Sequence, residues 1–328
     1  MTFVAPILGM LTGWHATFSS GWLQRKDAFD LLLPGLHGHL LNKVRLAMPL
    51  VQMRSLWGAA CLVLALALSC LACPGNQNDV QGIDRGYRQM YNLDFAGAHD
   101  TFHAHQVKYP DDPLGYTSDA AAYLFAEFDR LHVLESDLFI DDQAFGSRNK
   151  LSPDPKVKQE FEQHLAKSDE LVGKILARSQ QDPDALFAQV LANGLRGDYA
   201  ALIEKRNLAS LGYMKRSRGI AQQLLTIEPA CYDAYLAVGV ENYLLGINSA
   251  PMRWVLRMTG AQTDKEEGLK RLQITAEKGQ FLAPFARLLL AVAALRDKDP
   301  QAARNLLAGL AAEFPHNQLY AKELARIH

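Results

Sequence analysis

Cysteine is scarce. The 328-residue chain holds 4, and three of them, Cys61, Cys70 and Cys73, fall in one apolar stretch. Cys231 is left alone in the body, so no internal disulfide framework exists and no second C-x-x-C completes a zinc set. A surplus of basic charge is missing too. The formal net charge is -1; five of the 34 basic and two of the 35 acidic residues lie in residues 1–72, leaving the remainder at -4. A nucleic-acid-binding surface needs a basic surplus, so no nucleic-acid partner is expected. No segment alternates apolar and polar residues with period two, which excludes a sheet-based fold. There is no nucleophile elbow, phosphate loop or dinucleotide glycine set, and no pair of carboxylates stands apart as an acid–base couple. The chain is therefore expected to be no enzyme and to need no cofactor.

What is present begins with "MRSLWGAACLVLALALSCLAC", Met53 to Cys73. Arg54 supplies a positive start, Leu56 to Leu68 supply an apolar run, and Ala67-Leu68-Ser69 place small residues before Cys70. That order is the n-region, h-region and cleavage site of a secretory signal. The run is shorter than the ~20 residues that span a bilayer. The segment resembles the lipobox of bacterial lipoproteins, which implies lipidation at Cys70, with Cys73 as the alternative. A plain cleaved signal and a membrane anchor remain the other readings. Neither cysteine is followed by Asp, which in that family resembles outer-membrane cargo. Residues 70–82, with the polar, breaker-rich "PGNQNDVQG", read as a flexible tether. Residues 1–52 show no sustained period and read as a poorly ordered extension upstream of a true start at Met53 or Met48. The expected place is thus the bacterial cell envelope, lipid-anchored and facing the periplasm.

The body, residues 83–328, repeats. In "LDFAGAHDTFHAHQVKYPDDP" Asp94, Ala98, Phe102 and Pro110 fall at the same spacing as Asp299, Ala303, Leu307 and Pro315 in "KDPQAARNLLAGLAAEFPHN". The Asp suits a helix N-cap, the Ala lets a neighbouring helix approach, the large apolar residue fills the groove, and Pro ends the unit. Tyr235, Gly239 and Tyr243 in "DAYLAVGVENYLLG", and Tyr116, Ala120 and Tyr123, add aromatic and small residues at helical spacing. This pattern resembles the tetratricopeptide repeat, a helix–turn–helix unit of ~34 residues. The resemblance implies an all-α solenoid of stacked helical hairpins, about a dozen helices, with irregular insertions near 141–155 and 247–262. It also implies a concave groove lined by Tyr87, Tyr91, Leu124, Tyr243 and Arg296, with Glu241 and Asn242 on the same surface. From Tyr199 to Ile227 the pattern predicts one long helix, preceded by a turn at Gly197-Asp198-Tyr199. Lys322 to His328 read as a capping helix.

Three histidines lie in "HDTFHAH". His99 and His103 share a helix face, but His105 and Asp100 do not, and no Glu separates the pair as in H-E-x-x-H. No metal site is expected; these two are the nearest approach to one. Lys205, Arg206, Lys215, Arg216 and Arg218 form a basic run that suits either a solvated helix face or anionic groups such as lipid heads or phosphates. The function these features imply is a protein- or peptide-binding scaffold of the envelope. The alternative is a ligand-binding component of a transport system, with a small molecule in an enclosed apolar pocket. An open groove favours the first and an enclosed cavity the second.

Overall fold

A computed structural model describes residues 80–135, 149–246 and 264–327, all within the compact unit Leu64–His328. The expected signal, the lipidated cysteine, nearly all of the tether and the N-terminal extension lie outside these residues, as does most of each expected insertion. The described residues are all-helical: eleven α-helices and no strand. They are α1 (Val80–Tyr91), α2 (Phe95–Lys108), α3 (Pro113–Arg130), α4 (Pro155–Arg178), α5 (Pro183–Asp198) and α6 (Asn207–Ile227). The rest are α7 (Tyr235–Gly246), α8 (Lys265–Lys278), α9 (Ala283–Arg296), α10 (Pro300–Glu313) and α11 (Gln318–Arg326).

The helix starts follow from their caps. Asp94, Asp112, Asp154, Asp182, Asp264, Asp299 and Asn317 each accept a backbone N–H from the first turn of the helix they precede. Four of these caps are followed at once by proline: Pro113, Pro155, Pro183 and Pro300. Proline fits there because the first helical N–H has no partner inside the helix. Both the caps and the prolines are legible in the sequence.

The turns repeat as well. Leu93, His132, Lys205 and Lys298 all take positive φ, between 54° and 63°. At three of them the chain closes a Schellman motif: Asp94 N–H bonds to Gln89 O, Val133 N–H to Phe128 O, and Asp299 N–H to Ala294 O. After α2, α4, α6 and α10 a second pattern recurs. Tyr109, Ser179, Glu228 and Phe314 donate back to the helix, and the residue three further on donates to each of them in turn. Every helix packs on the next one in the chain, and α1 and α5 also pack on α3. The architecture is therefore repeat-like: hairpins α1/α2, α3/α4, α5/α6, α7/α8 and α9/α10, followed by α11.

Inside the hairpins the small residues sit where the helices touch. Ala98 and Ala303 have no exposed surface. A Cβ on Gly86 would lie 2.3 Å from the Phe102 ring. A Cβ on Gly268 would lie 2.5 Å from Tyr243 N, so α7 and α8 meet backbone to backbone.

The long helix expected from Tyr199 to Ile227 is not formed. Helix α5 runs through Gly197-Asp198, continues as a π-helical turn over Tyr199–Ile203, and ends. Lys205 takes φ 58°, and α6 starts at Asn207. The expected turn at Gly197-Asp198-Tyr199 thus lies inside helix, and the real one comes at Glu204 to Arg206. Glu-Lys-Arg are good helix formers, so nothing local marks the break. It is set by packing: Ile203 is 1% exposed, its carbonyl accepts Leu151 N–H, and α6 folds back on α5.

The first helix meets the last ones. Arg88 pairs with Glu313 at 2.8 Å, Asn92 Oδ1 accepts His316 N–H, and Asn317 Nδ2 donates to Tyr91 O at 2.8 Å. Aromatic rings fill the interior behind this seam. Tyr87 stacks on Phe281 at 5.3 Å, Tyr91 meets Phe314 at 5.7 Å, and Phe125 meets Phe285 edge-on at 5.5 Å. The core is one continuous cluster running from α1 to α11, with a smaller one where Tyr243, Leu272, Leu290 and Ala293 join α7, α8 and α9.

Candidate functional site

Most residues expected to line an open groove are interior. Tyr87, Tyr91, Leu124 and Tyr243 are 1–5% exposed, and Glu241 and Asn242 are each 2% exposed. The Tyr87 and Tyr91 rings pack against other rings, Tyr243 packs with Leu272, Leu290 and Ala293, and Asn242 Nδ2 donates to Val238 O within its own helix. Glu241 pairs with Arg218 at 2.7 Å. Arg296, at the end of α9, is half-buried. Burial pushes the Tyr87 and Tyr91 hydroxyls well above the ordinary phenol range. Tyr87, Tyr243, Glu241 and Asn242 hold helices together, whereas Tyr91, though 3% exposed, lines a cleft at the seam. The turn between α10 and α11 covers Tyr91 on α1, and Leu272, Leu290 and Ala293 of α8 and α9 cover Tyr243.

The seam leaves a cleft at one end. Its volume is about 700 Å³, within the usual size of small-molecule sites. Phe95, Phe125, Phe285, Leu288 and Leu319 form its apolar walls; Asp129, His132, Glu135, His316 and Lys322 stand around it. Of the five wall residues only Leu288 is fully buried; the rest keep part of their surface open. Glu135 ties the polar side together, bonding Lys322 at 2.6 Å and Arg326 at 3.3 Å. The hydrogen bond from Lys322 holds its carboxyl below the usual range. Apolar walls with a few charged groups can bind a ligand; among those groups His132 Nδ1 lies 3.6 Å from Glu135 Oε1. No local pattern marks this cleft, because its lining comes from α1, α2, α3, α9 and α11.

The three histidines of α2 have different surroundings. His103 is exposed. His99 Nδ1 lies 2.5 Å from Asp119 Oδ1, and His164 Nε2 lies 3.5 Å from Asp119 Oδ2. Gln106 Nε2 donates to the same Oδ2, and the Tyr123 ring sits beside both imidazoles. One buried carboxylate thus joins α2, α3 and α4. His105, off the shared face as expected, is buried and bonds Asp112 at 2.7 Å. No group of three or more His, Cys, Asp or Glu among the described residues is placed to hold a metal ion. Asp119 and His164 are partners the sequence could not nominate, lying 20 and 65 residues beyond His99.

Cys231 is a buried free thiol. The basic run divides. Lys205, Arg206, Lys215 and Arg216 are exposed, whereas Arg218 turns inward to Glu241. No described helix is long and apolar enough to cross a membrane. Comparison with family models, with curated proteins and with solved structures returns no match.

Proposed function

We propose that this chain is a non-enzymatic binding module built from tetratricopeptide-like hairpins, and that its ligand is a small, largely apolar molecule seated in the cleft between α1, α3, α9 and α11. The observation that carries this reading is the cleft itself: about 700 Å³, lined by four phenylalanines and four leucines. The burial of the tyrosines expected to grip a peptide moves weight the same way. The lipobox-like "ALSC" ending at Cys70, or the alternative Cys73, supports placement on the periplasmic side of a bacterial envelope, at the outer membrane. There the module would serve as the ligand-binding part of a transport system.

The second reading, a scaffold for a protein or peptide, draws on the charged groups of both signs around the cleft, Asp129, Glu135 and Lys322. A partner's apolar side chain would enter the cleft while its backbone and charges met those groups.

Ligand extraction separates the two. Protein purified from washed membranes is denatured in solvent and the extract examined by mass spectrometry, beside the variant Leu288→Trp. An apolar compound present with the native chain and lost from the variant supports the small-molecule reading. A co-purifying polypeptide lost in the same way supports the scaffold. Identical extracts from both proteins sink the cleft as the site.

A further inference from the structure

Helix α6 shares with α9, among the described helices, the lack of both an acidic residue and a side-chain cap. Its 21 residues contain no Asp or Glu. It opens on Arg206 with no side-chain cap, where seven other helices open on Asp or Asn with one. Two cations, Lys205 and Arg206, thus stand at a helix start, the end whose dipole disfavours positive charge. Folding alone does not call for them there.

The outer side of this helix has a composition of its own. Leu208 is 87% exposed, the highest value among the exposed large apolar side chains described. Gly212, Lys215 and Gly219 follow it at helical spacing on one stripe. A Cβ on either glycine would meet nothing within 4 Å, so packing inside the protein does not require glycine at these positions. Arg216 lies exposed beside the stripe, its guanidinium 4.8 Å from the centre of the half-buried Tyr213 ring. Glu204, at this end, is engaged by Lys158 at 3.0 Å and Arg206 at 3.1 Å, and Glu162 also lies 3.6 Å from Lys158. The face is cationic on a body whose net charge is negative.

We propose that this face docks on the anionic headgroups of a lipid bilayer, with Lys205, Arg206, Lys215 and Arg216 meeting the phosphates and Leu208 entering the headgroup–acyl boundary. Charge complementarity carries the assignment, and the exposed leucine decides among anionic partners. Cations with an apolar residue and an aromatic ring between them suit an interface that is charged above and oily below. A nucleic-acid backbone offers Leu208 nothing. Docking would hold the cleft in a set orientation to the membrane, whatever the cleft binds.

The test is flotation of the full chain with vesicles of phosphatidylcholine alone and with about 30% phosphatidylglycerol. The N-terminal segment acts on both vesicles and its five basic residues add to any anionic preference, so the charge-reversal variants isolate the contribution of this face. The expected result is stronger binding to the anionic vesicles, weakened about tenfold by raising salt to about 0.5 M. Lys215→Glu/Arg216→Glu should remove the preference, Lys215→Gln/Arg216→Gln should reduce it, and Leu208→Ser should weaken binding to anionic vesicles. Unchanged far-ultraviolet circular dichroism shows that the variants fold. Equal binding to both vesicles, or a preference untouched by charge reversal, overturns the proposal. So does heparin binding that needs the same cations while Leu208→Ser leaves the vesicle preference intact, since the face would then be a general polyanion site.

Discussion

Asp233 accepts the backbone N–H of Phe281 across 48 residues, with both carboxylate oxygens at 3.2 Å. Gln280 N–H reaches Oδ2 at 3.0 Å and Leu282 N–H reaches Oδ1 at 2.9 Å. Helix α9 has no side-chain cap of its own. A residue from the turn between α6 and α7 therefore satisfies its orphan donors. Asp233 is 1% exposed, and three converging amides plus a helix N-terminus compensate its lost hydration.

Asp233→Ala should destabilise the protein by about 3 kcal/mol, because it strands buried amides and removes a charge-assisted cap. Urea unfolding measures this. A loss near that of an exposed cap, below about 1 kcal/mol, would show that water replaces the carboxylate.

Gly86→Ala should cost about 1–3 kcal/mol through overpacking, since the new methyl falls against the Phe102 ring. Phe102 is fully buried and has little room to move. Adding Phe102→Leu should recover part of the loss. The two changes should be non-additive in a double-mutant cycle, as expected for residues in contact.

Asp198 gives a pH signature. Burial pushes its carboxyl up from 3.8 to about 7. The folded state thus holds a proton that the unfolded state releases near pH 4, and folding stability from this group falls as pH rises from about 4 to about 7. Asp198→Asn should leave stability at pH 4 nearly unchanged and raise it at pH 8, by on the order of 2 kcal/mol. Thermal melts at the two pH values check this; a variant with the wild-type pH slope would place the titration elsewhere.

Asn317 serves two helices at once. Its Oδ1 accepts Leu319 N–H at the start of α11, and its Nδ2 donates to Tyr91 O at the end of α1. Asn317→Ala should cost about 1–2 kcal/mol and loosen the seam. Hydrogen exchange should speed up in α1 and α11 together. Faster exchange in α11 alone would mean the link to Tyr91 does not hold α1 in place.

The repeat-like helices were legible because their determinants are local. Asp94 and Asp299 cap as their spacing foretold, Ala98 and Ala303 are where helices touch, and proline opens four helices. Each of these effects acts within one turn of chain. The repeated spacing falls on helices α2 and α10, but it does not say which faces reach the surface. Tyr87, Tyr91 and Tyr243 follow the helical period, yet period alone does not say whether a face meets solvent or another hairpin. The break before α6 was hidden for a related reason. Glu204-Lys205-Arg206 suits a helix, and only the burial of Ile203 and the fit of α6 on α5 reverse the chain there.

The sequence by itself thus determined the helix class and the starts of the seven helices capped by a neighbouring Asp or Asn, through interactions spanning four or five residues. Only the tertiary structure decided that α1 meets α10 and α11, that Asp119 joins two histidines, that Asp233 caps a distant helix, and that a cleft opens beside Phe95, Phe125 and Phe285. Those outcomes depend on how small helix-to-helix rotations add up over five hairpins. That sum brings residues together from opposite ends of the chain, and no local pattern encodes it.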